Sequence, residues 1–132
     1  MSQFTVTRLA CCLALASSAH AAPLVCPPHA PSGWKVPDGR LESVEVMRYP
    51  KEAPREEEDV PASPPDHEQA RRGQLLQRWQ FSADSRQAIQ CRYMCTSRSL
   101  RLDASKVQVC HASWRTRADG SQIFGSLNFR CE

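Results

Sequence analysis

Five cysteines follow the first 22 residues of this chain, and four of them lie in its last third. The preceding segment is typical of a secretory signal, because Arg8 supplies a positive charge, residues 9–16 a short apolar run, and residues 17–21 mostly small side chains for cleavage. The sequence therefore predicts removal of residues 1–22 and export of one domain over residues 23–132. In an oxidising compartment, the cysteines predict a domain held together by disulfides.

Chain length limits the mature protein to a single small domain, since about 110 residues leave room for one hydrophobic core. The apolar run of the signal is too short to span a bilayer, and the sequence contains no second apolar run. We therefore predict a periplasmic or secreted protein without a transmembrane segment.

Apolar and polar residues alternate along most of the chain after residue 40, and this period of two is typical of half-buried antiparallel strands. Turn sequences at Ser82–Ser85 and at Asp119–Gly120 separate some of these stretches. The sequence predicts an all-β fold, an antiparallel meander of about five or six strands that is either a curled sheet or a sandwich. The predicted strands cover Leu41–Tyr49, the stretch containing Leu75, Trp79 and Phe81, then Ile89–Cys95, Lys106–Arg115 and Ile123–Cys131.

Residues 50–66 differ in composition from the rest, with five prolines around the acidic run at residues 56–59. Proline lacks the amide hydrogen that a sheet requires, and clustered acids repel one another. We predict a long, exposed, disordered loop here. A brief helix is predicted only around residues 65–72, where Asp66 could serve as the N-cap.

Charge is distributed unevenly along the chain. Residues 38–68 contain ten acidic against four basic residues, whereas residues 71–131 contain eleven basic against three acidic residues. One interpretation is a basic surface for an anionic partner such as an envelope protein or an anionic surface. The alternative is that the acidic segment covers the basic body or that both are simply solvated. Nucleic acid is not predicted as a partner, because no recognised binding motif is present.

Disulfide pairing is left open by the spacing of the cysteines. A hairpin centred near Leu100 and Arg101 would place Cys91 opposite Cys110, and Cys26 with Cys131 would then join the ends of the domain. Pairing of Cys110 with Cys131 competes with this scheme, because their strands also look adjacent. The first scheme leaves Cys95 over, as an inert buried thiol, a reactive thiol or the link to a second chain. Cys95 is predicted to share a strand face with Cys91.

Chemistry beyond the disulfides has little support in the sequence. Grouping Cys91, Cys95, Cys110 and His111 as a metal site is disfavoured, since adjacent residues of a strand point to opposite faces. No Gly-x-Ser-x-Gly or Ser-x-x-Lys motif is present, and His111 has no partner that would make it a general base. We therefore predict no enzyme activity, catalytic residue, metal or cofactor. Trp34, Trp79 and Trp114 are predicted to lie mainly in the core rather than to form a ligand-stacking surface.

Several short motifs resemble a family of small exported bacterial proteins that carries an STY-prefixed locus label and no assigned function. The motifs are Cys26-Pro27, Gly33-Trp34, Trp79-Gln80-Phe81, Cys91-Arg92-Tyr93, a later Cys110 and Arg130-Cys131. The resemblance implies four recurring cysteines, matching Cys26, Cys91, Cys110 and Cys131, and a location in a Gram-negative envelope. This chain departs from the family by adding Cys95 and the acidic, Pro-rich insertion.

A second resemblance is to periplasmic inhibitors of c-type lysozyme, small exported β-barrels with a Tyr-x-Cys element that Tyr93-Met94-Cys95 matches. The Ser- and Gly-rich inhibitory loop of that family is missing here. Two functions follow as hypotheses. The first is a non-enzymatic β domain with a structural or interaction role, and the alternative is an inhibitor or envelope-binding module that presents an Arg-rich face.

Overall fold

The computed structural model describes residues 22–50 and 60–132. The predicted signal and the acidic run at residues 51–59 lie outside the described residues. The all-β prediction is confirmed, since the described residues form two antiparallel sheets of five and three strands with one short 3-10 helix at Ser32–Trp34. The strands are β1 (Leu24–Val25), β2 (Leu41–Tyr49), β3 (His67–Arg71), β4 (Gln74–Gln80), β5 (Arg86–Tyr93), β6 (Ser99–Asp103), β7 (Val109–Arg115) and β8 (Asn128–Cys131).

The larger sheet has the strand order β1-β8-β7-β4-β3, and the smaller has the order β2-β5-β6. Neighbours in sequence form the pairs β3–β4, β5–β6 and β7–β8, whereas β2–β5 and β4–β7 pair across long connections. The chain leaves the larger sheet after β4, builds β5 and β6 in the smaller sheet, and returns as β7. Two neighbouring strands of the larger sheet, β4 and β7, are therefore separated in the sequence by two strands of the smaller sheet.

Side chains from both sheets meet in one buried core, as expected for a two-layer β structure. Ile89 of β5 is fully buried, and the ring of Trp79 on β4 meets the ring of Phe129 on β8 edge-on, with 6.0 Å between their centroids. These two sheets thus bury the apolar members of the period-two pattern against each other. Buried members of the core from both sheets include Leu41, Val46, Trp79, Ile89, Tyr93, Ala112, Leu127 and Phe129.

Four of the five predicted strands are confirmed as β2, β4, β5 and β7, and the turn at Ser82–Ser85 is confirmed by a hydrogen bond from the Ser85 amide to the Ser82 carbonyl. The last strand is shorter than predicted and contains only Asn128–Cys131. A turn closed by the Ser126 amide and the Ile123 carbonyl interrupts the ladder, and Gly125 has a left-handed φ of 78°. The alternation before that point therefore does not extend the strand.

The helix predicted around residues 65–72 is wrong, because His67–Arg71 forms β3. The Asp66 carboxylate caps no helix; it accepts a hydrogen bond from the Gln80 amide at 2.7 Å. Gly73, with a φ of 75°, forms the tight connection that folds β3 back onto β4. All five residues of β3 are exposed, so no apolar alternation identified it as a strand.

Part of the predicted disordered loop is attached to the body of the domain. The Ser63 amide donates to the Val46 carbonyl at 2.7 Å, and the indole N–H of Trp79 donates to the Ser63 carbonyl at 3.0 Å. Residues 60–66 are therefore held against the domain by hydrogen bonds and do not form a detached loop. Disorder of residues 51–59 stays a prediction.

Four cysteines form two disulfides, Cys26–Cys91 and Cys110–Cys131, with Cα separations of 5.8 and 4.0 Å. All four lie in the buried core, with exposures of 3% or less. The first bond ties the segment after β1, at the edge of the larger sheet, to the central strand of the smaller sheet. The second bond joins neighbouring strands of the larger sheet.

The pairing of Cys91 with Cys110 and of Cys26 with Cys131 is therefore wrong, and the competing Cys110–Cys131 pair is correct. The hairpin near Leu100 exists, but its second strand is β6, which places Leu100 rather than Cys110 opposite Cys91. Cys110 lies opposite Cys131 instead. The neighbouring Val109 and Glu132 exchange both backbone hydrogen bonds, so Cys110 and Cys131 form a non-hydrogen-bonded pair, where side chains approach most closely.

Loss of either disulfide is expected to destabilise the fold, and loss of Cys26–Cys91 should do so more. This bond spans 65 residues and Cys110–Cys131 spans 21, so the chain-entropy relation gives about 4 and about 3 kcal/mol, respectively. Urea unfolding of C26A/C91A and C110A/C131A measures both values. Unfolding of both double variants at the wild-type midpoint would contradict a structural role for the disulfides.

Candidate functional site

One row of cationic and imidazole side chains crosses the outer face of the larger sheet. Arg78 on β4 lies opposite His67 on β3 and, on its other side, opposite His111 on β7. His111 in turn lies opposite Arg130 on β8. The opposite face of β4 carries Trp79 into the core, so alternation places these four side chains together on the face away from the core.

Two further rows run parallel to the first on the same face. The second row contains neutral hydrogen-bonding side chains around Leu76, and the third is again cationic. The second row is Gln69, Leu76, Ser113 and Asn128, and the third is Arg71, Gln74 and Arg115. We call these three rows the polar outer face; it contains four arginines, two histidines and no carboxylate.

An open groove of about 780 Å³ covers most of the polar outer face, lined by residues of β3, β4, β7 and β8. Neighbouring strands are about 4.8 Å apart, and successive rows, two residues apart along a strand, are separated by about 6.8 Å. Hydrogen bonds between the strands fix these distances. The first, second and third rows therefore form a regular array of side chains.

The guanidinium of Arg78 makes no hydrogen bond or ion pair with any part of the chain that the structure describes, and the same holds for Arg115. Arg130 has a carboxylate within reach, since its Nη2 is 3.6 Å from Glu132 Oε1 at the end of the groove. Both members of that pair are more than half exposed, so the attraction between them is weak. Glu68 also lines the groove, where its carboxylate accepts a hydrogen bond from Gln77 at 2.9 Å. Arg78 and Arg115 therefore carry positive charge that no carboxylate of the described residues pairs with.

The outer face of the smaller sheet also contains arginines, but these have partners. Arg92 donates from Nε to Glu45 at 2.8 Å, and this hydrogen bond raises the pKa of Arg92. Arg101 donates to the Tyr49 hydroxyl, and the guanidiniums of Arg86 and Arg101 lie 5.8 and 5.4 Å from the centroid of the Tyr49 ring. Both outer faces therefore contain arginines, and they differ in whether acidic or aromatic side chains lie next to those arginines.

Asp66 holds the start of β3, which carries His67 into the groove. Its carboxylate accepts hydrogen bonds from Arg48 at 2.6 Å and from the Gln80 amide at 2.7 Å. The hydrogen bond from Arg48 is the main cause that lowers the pKa of Asp66, and the bond from Gln80 adds to it. The Arg48 guanidinium also lies 5.2 Å from the centre of the Phe81 ring, which fixes its position.

Replacing Asp66 by Asn is expected to remove a pH-dependent part of the stability. A carboxyl whose pKa is lower in the folded state stabilises the fold above its unfolded pKa, about 3.9, and loses that contribution as pH falls through the folded value. D66N should therefore lower the free energy of unfolding at pH 7 by about 1 kcal/mol, because the pair is about one third exposed. It should also lose less stability than wild type between about pH 5 and pH 2.

Denaturant unfolding at several pH values measures this difference. E42Q, which removes another exposed carboxylate from β2, is the matched control. Identical acid profiles for D66N and wild type would contradict the structural role of Asp66.

The sequence singled out Cys95 as the thiol without a partner, and it is the free cysteine of the described chain and is exposed. It does not share the strand face of Cys91, because β5 ends at Tyr93 and Cys95 has a left-handed φ of 62° in the following turn. The disfavoured metal grouping does not assemble, since Cys91 and Cys110 belong to different disulfides and His111 lies in the groove. Within residues 22–50 and 60–132, no three His, Cys, Asp or Glu side chains are placed to bind a metal ion.

In the oxidised, native protein without residues 1–22, Cys95 is expected to react alone with a maleimide, because it is exposed and the other four described cysteines are buried in disulfides. Intact-mass measurement before and after labelling counts the modified thiols. C95S should take up no label, and labelling of C95S without denaturant would contradict the assigned disulfides.

The tryptophans lie mainly in the core, as predicted. Trp79 is buried, and Trp114 packs against the core from β7. Trp34 also packs against the core, where its ring meets Tyr93 edge-on with 5.9 Å between the ring centroids, and the Arg98 guanidinium lies 4.5 Å from the Trp34 ring centroid.

The Tyr93 hydroxyl donates to the Pro27 carbonyl at 2.9 Å, and burial raises the pKa of Tyr93. Tyr93 of the Tyr-x-Cys element is thus a core residue.

Sequence reasoning missed the residues of the groove. The excess of basic residues over residues 71–131 indicated a basic surface, and the alternation in β4 and β7 assigned Arg78 and His111 to outward positions. Nothing in the sequence placed these two side chains next to each other, since their strands are separated by residues 81–108.

The fold and groove define a small, disulfide-bonded, two-sheet β domain with a polar outer face, and its two disulfides fit an oxidising compartment. Compared with protein-family models, curated proteins and solved structures, the chain matches none. Both resemblances drawn from short motifs therefore stay predictions. In the described part of the chain, no helix is sufficiently long and apolar to cross a membrane.

Proposed function

We propose that this protein is an exported, non-enzymatic binding domain that holds an anionic partner of the bacterial envelope on its polar outer face. Its location is the periplasm or the exterior of the cell. The observation that carries the proposal is the position of Arg78, between His67 and His111 in a groove and without an ion-pair partner in the described chain. An unneutralised guanidinium flanked by N–H donors attracts phosphate, sulfate or carboxylate groups.

Charge complementarity supports an anionic rather than a neutral partner. Three arginines, Arg71, Arg78 and Arg115, lie on the polar outer face without a carboxylate neighbour in its rows. Grouped charges of one sign raise the local concentration of an oppositely charged partner and speed its association. Arg92 of the smaller sheet would not contribute in this way, because its guanidinium is already paired with Glu45.

Binding rather than catalysis is supported by the neighbours of the titratable groups. His67 and His111 lie beside arginines, and within residues 22–50 and 60–132 neither imidazole has a hydrogen bond or ion pair to a carboxylate that would orient it as a general base. Cys95 lies in the turn after β5, outside the residues that line the groove. A function that needs charge and hydrogen bonds, but no reactive group, fits this arrangement.

Replacing Arg78 and Arg115 by Gln is expected to weaken retention on a phosphorylated cation-exchange matrix more than replacing two lysines elsewhere. R78Q/R115Q and the control K35Q/K106Q have the same net charge, and Lys35 and Lys106 are both exposed outside the groove. The outer-face variant should elute at lower salt and show a smaller dependence of elution on salt concentration, because fewer anionic groups are neutralised.

Near-ultraviolet and far-ultraviolet circular dichroism of each variant checks that the fold is retained. Equal elution of the two double variants would show that retention follows net charge alone. That result would contradict a binding function of the polar outer face.

A further inference from the structure

We infer that the anionic partner is a saccharide chain bearing charged substituents, rather than an acidic protein. The inference rests on the proposed function, because it specifies the ligand of the same groove. It depends on the second row of the polar outer face, which carries hydrogen-bonding groups between the two cationic rows.

The second row matches the hydroxyl groups of a sugar. Ser113 and Asn128 each offer both a donor and an acceptor, and a sugar hydroxyl is itself both donor and acceptor. Gln69 offers its amide N–H groups, while its Oε1 already accepts a hydrogen bond from Arg71 at 3.3 Å. Gln69 and Asn128 are exposed, and Ser113 is half-buried between them in the groove. An amide can therefore hydrogen-bond a hydroxyl whichever way that hydroxyl is oriented.

The cationic rows on either side match charged substituents. Arg78 in the first row and Arg115 in the third are separated by four residues along the strand direction, about 13 Å, with the amide row between them. Arg78 lines the groove, whereas Arg115 lies on the same sheet face beyond the residues that line it. A chain of sugar rings that extends along the polar outer face past the groove would place ring hydroxyls over the second row and its substituents over the flanking rows. An acidic peptide could use the cationic rows but would leave much of the hydrogen-bonding capacity of the second row unused.

The apolar anchors that a protein partner needs are scarce on this face. Binding energy between proteins is concentrated in buried aromatic, apolar and arginine anchors at the centre of the contact. The centre of the polar outer face offers one apolar side chain, Leu76, and no aromatic residue; Val25, opposite Arg130, lies at the sheet edge. The aromatic residues of the larger sheet, Trp79 and Phe129, point into the core.

Preorganisation also favours an extended polar ligand. The rows belong to hydrogen-bonded strands. The side chain of Gln77 on β4 donates to Glu68 on β3 at 2.9 Å, which holds the edge strand in register; both residues also line the groove. A rigid array loses little conformational freedom on binding, and a repeating ligand can therefore engage several rows at a low entropic cost.

Three probes of six units each test the inference by isothermal titration calorimetry: isomaltohexaose bearing on average one sulfate per ring, unmodified isomaltohexaose and a hexaglutamate peptide. The two anionic probes then carry about the same charge. The sulfated saccharide should bind about tenfold more tightly than hexaglutamate, which corresponds to about 1.4 kcal/mol, and the unmodified saccharide should bind least. The variant Q69A/N128A should lower the affinity for the sulfated saccharide about fivefold and leave the affinity for hexaglutamate unchanged. The control Q108A/Q122A, which removes two exposed amides outside the groove, should bind like wild type.

The outcomes separate this inference from the proposed function. If hexaglutamate binds as tightly as the sulfated saccharide and R78Q/R115Q weakens both, the polar outer face binds anions but does not select saccharides, and only this inference is overturned. If neither anionic probe binds wild type, both the inference and the proposed function are overturned. Equal loss of both ligands in Q69A/N128A would also contradict the assigned role of the second row.

Discussion

The pairing of β4 with β7 is the contact on which both the core and the polar outer face depend. On the inner side it places Trp79 opposite Cys110, next to the Cys110–Cys131 disulfide and the Phe129 ring. On the outer side it places Arg78 next to His111. Residues 81–108 separate the two strands, so closing this connection costs conformational entropy that burial of the inner face must offset. The outer face is thus a consequence of the same register that forms the core.

A buried side-chain amide, that of Gln87, holds the segment through which the chain returns from the smaller to the larger sheet. Gln87 is 2% exposed, and its Nε2 donates to the carbonyls of Ala104 and Val107 at 2.7 and 3.0 Å, while its Oε1 accepts from Ser85. A buried polar group costs little when all its hydrogen bonds are made, and a charged side chain here would cost far more. Gln87 therefore ties β5 to the segment between β6 and β7, just before β7 begins to pair with β4.

The two outer faces show how similar composition can give different surfaces. Both carry arginine, but Glu45 lies beside Arg92 on the smaller sheet, whereas among the described carboxylates Glu132 alone reaches an arginine at the groove. A paired surface arginine contributes modestly to stability, and an unpaired one stays solvated and available to a ligand. The positive face of the larger sheet therefore results from where the carboxylates lie in the fold, not from the number of basic residues.

The all-β class, the outward or inward side of most strand residues and the four cysteines of the framework could be predicted from the sequence alone. Period-two alternation is a local property, and disulfides form in pairs, so five cysteines leave one over. It did not identify β3, because every residue of that edge strand is exposed, nor β6, whose alternation of Leu100 and Leu102 is too short to stand out. Only the tertiary structure decided which strands are neighbours. The strand neighbours bring Cys26 to Cys91 and Cys110 to Cys131, in place of the predicted Cys91–Cys110 pair. They also place Arg78 between two histidines. The physical reason is that alternation fixes the face of a side chain but not the strand beside it, which depends on how both sheets share one core.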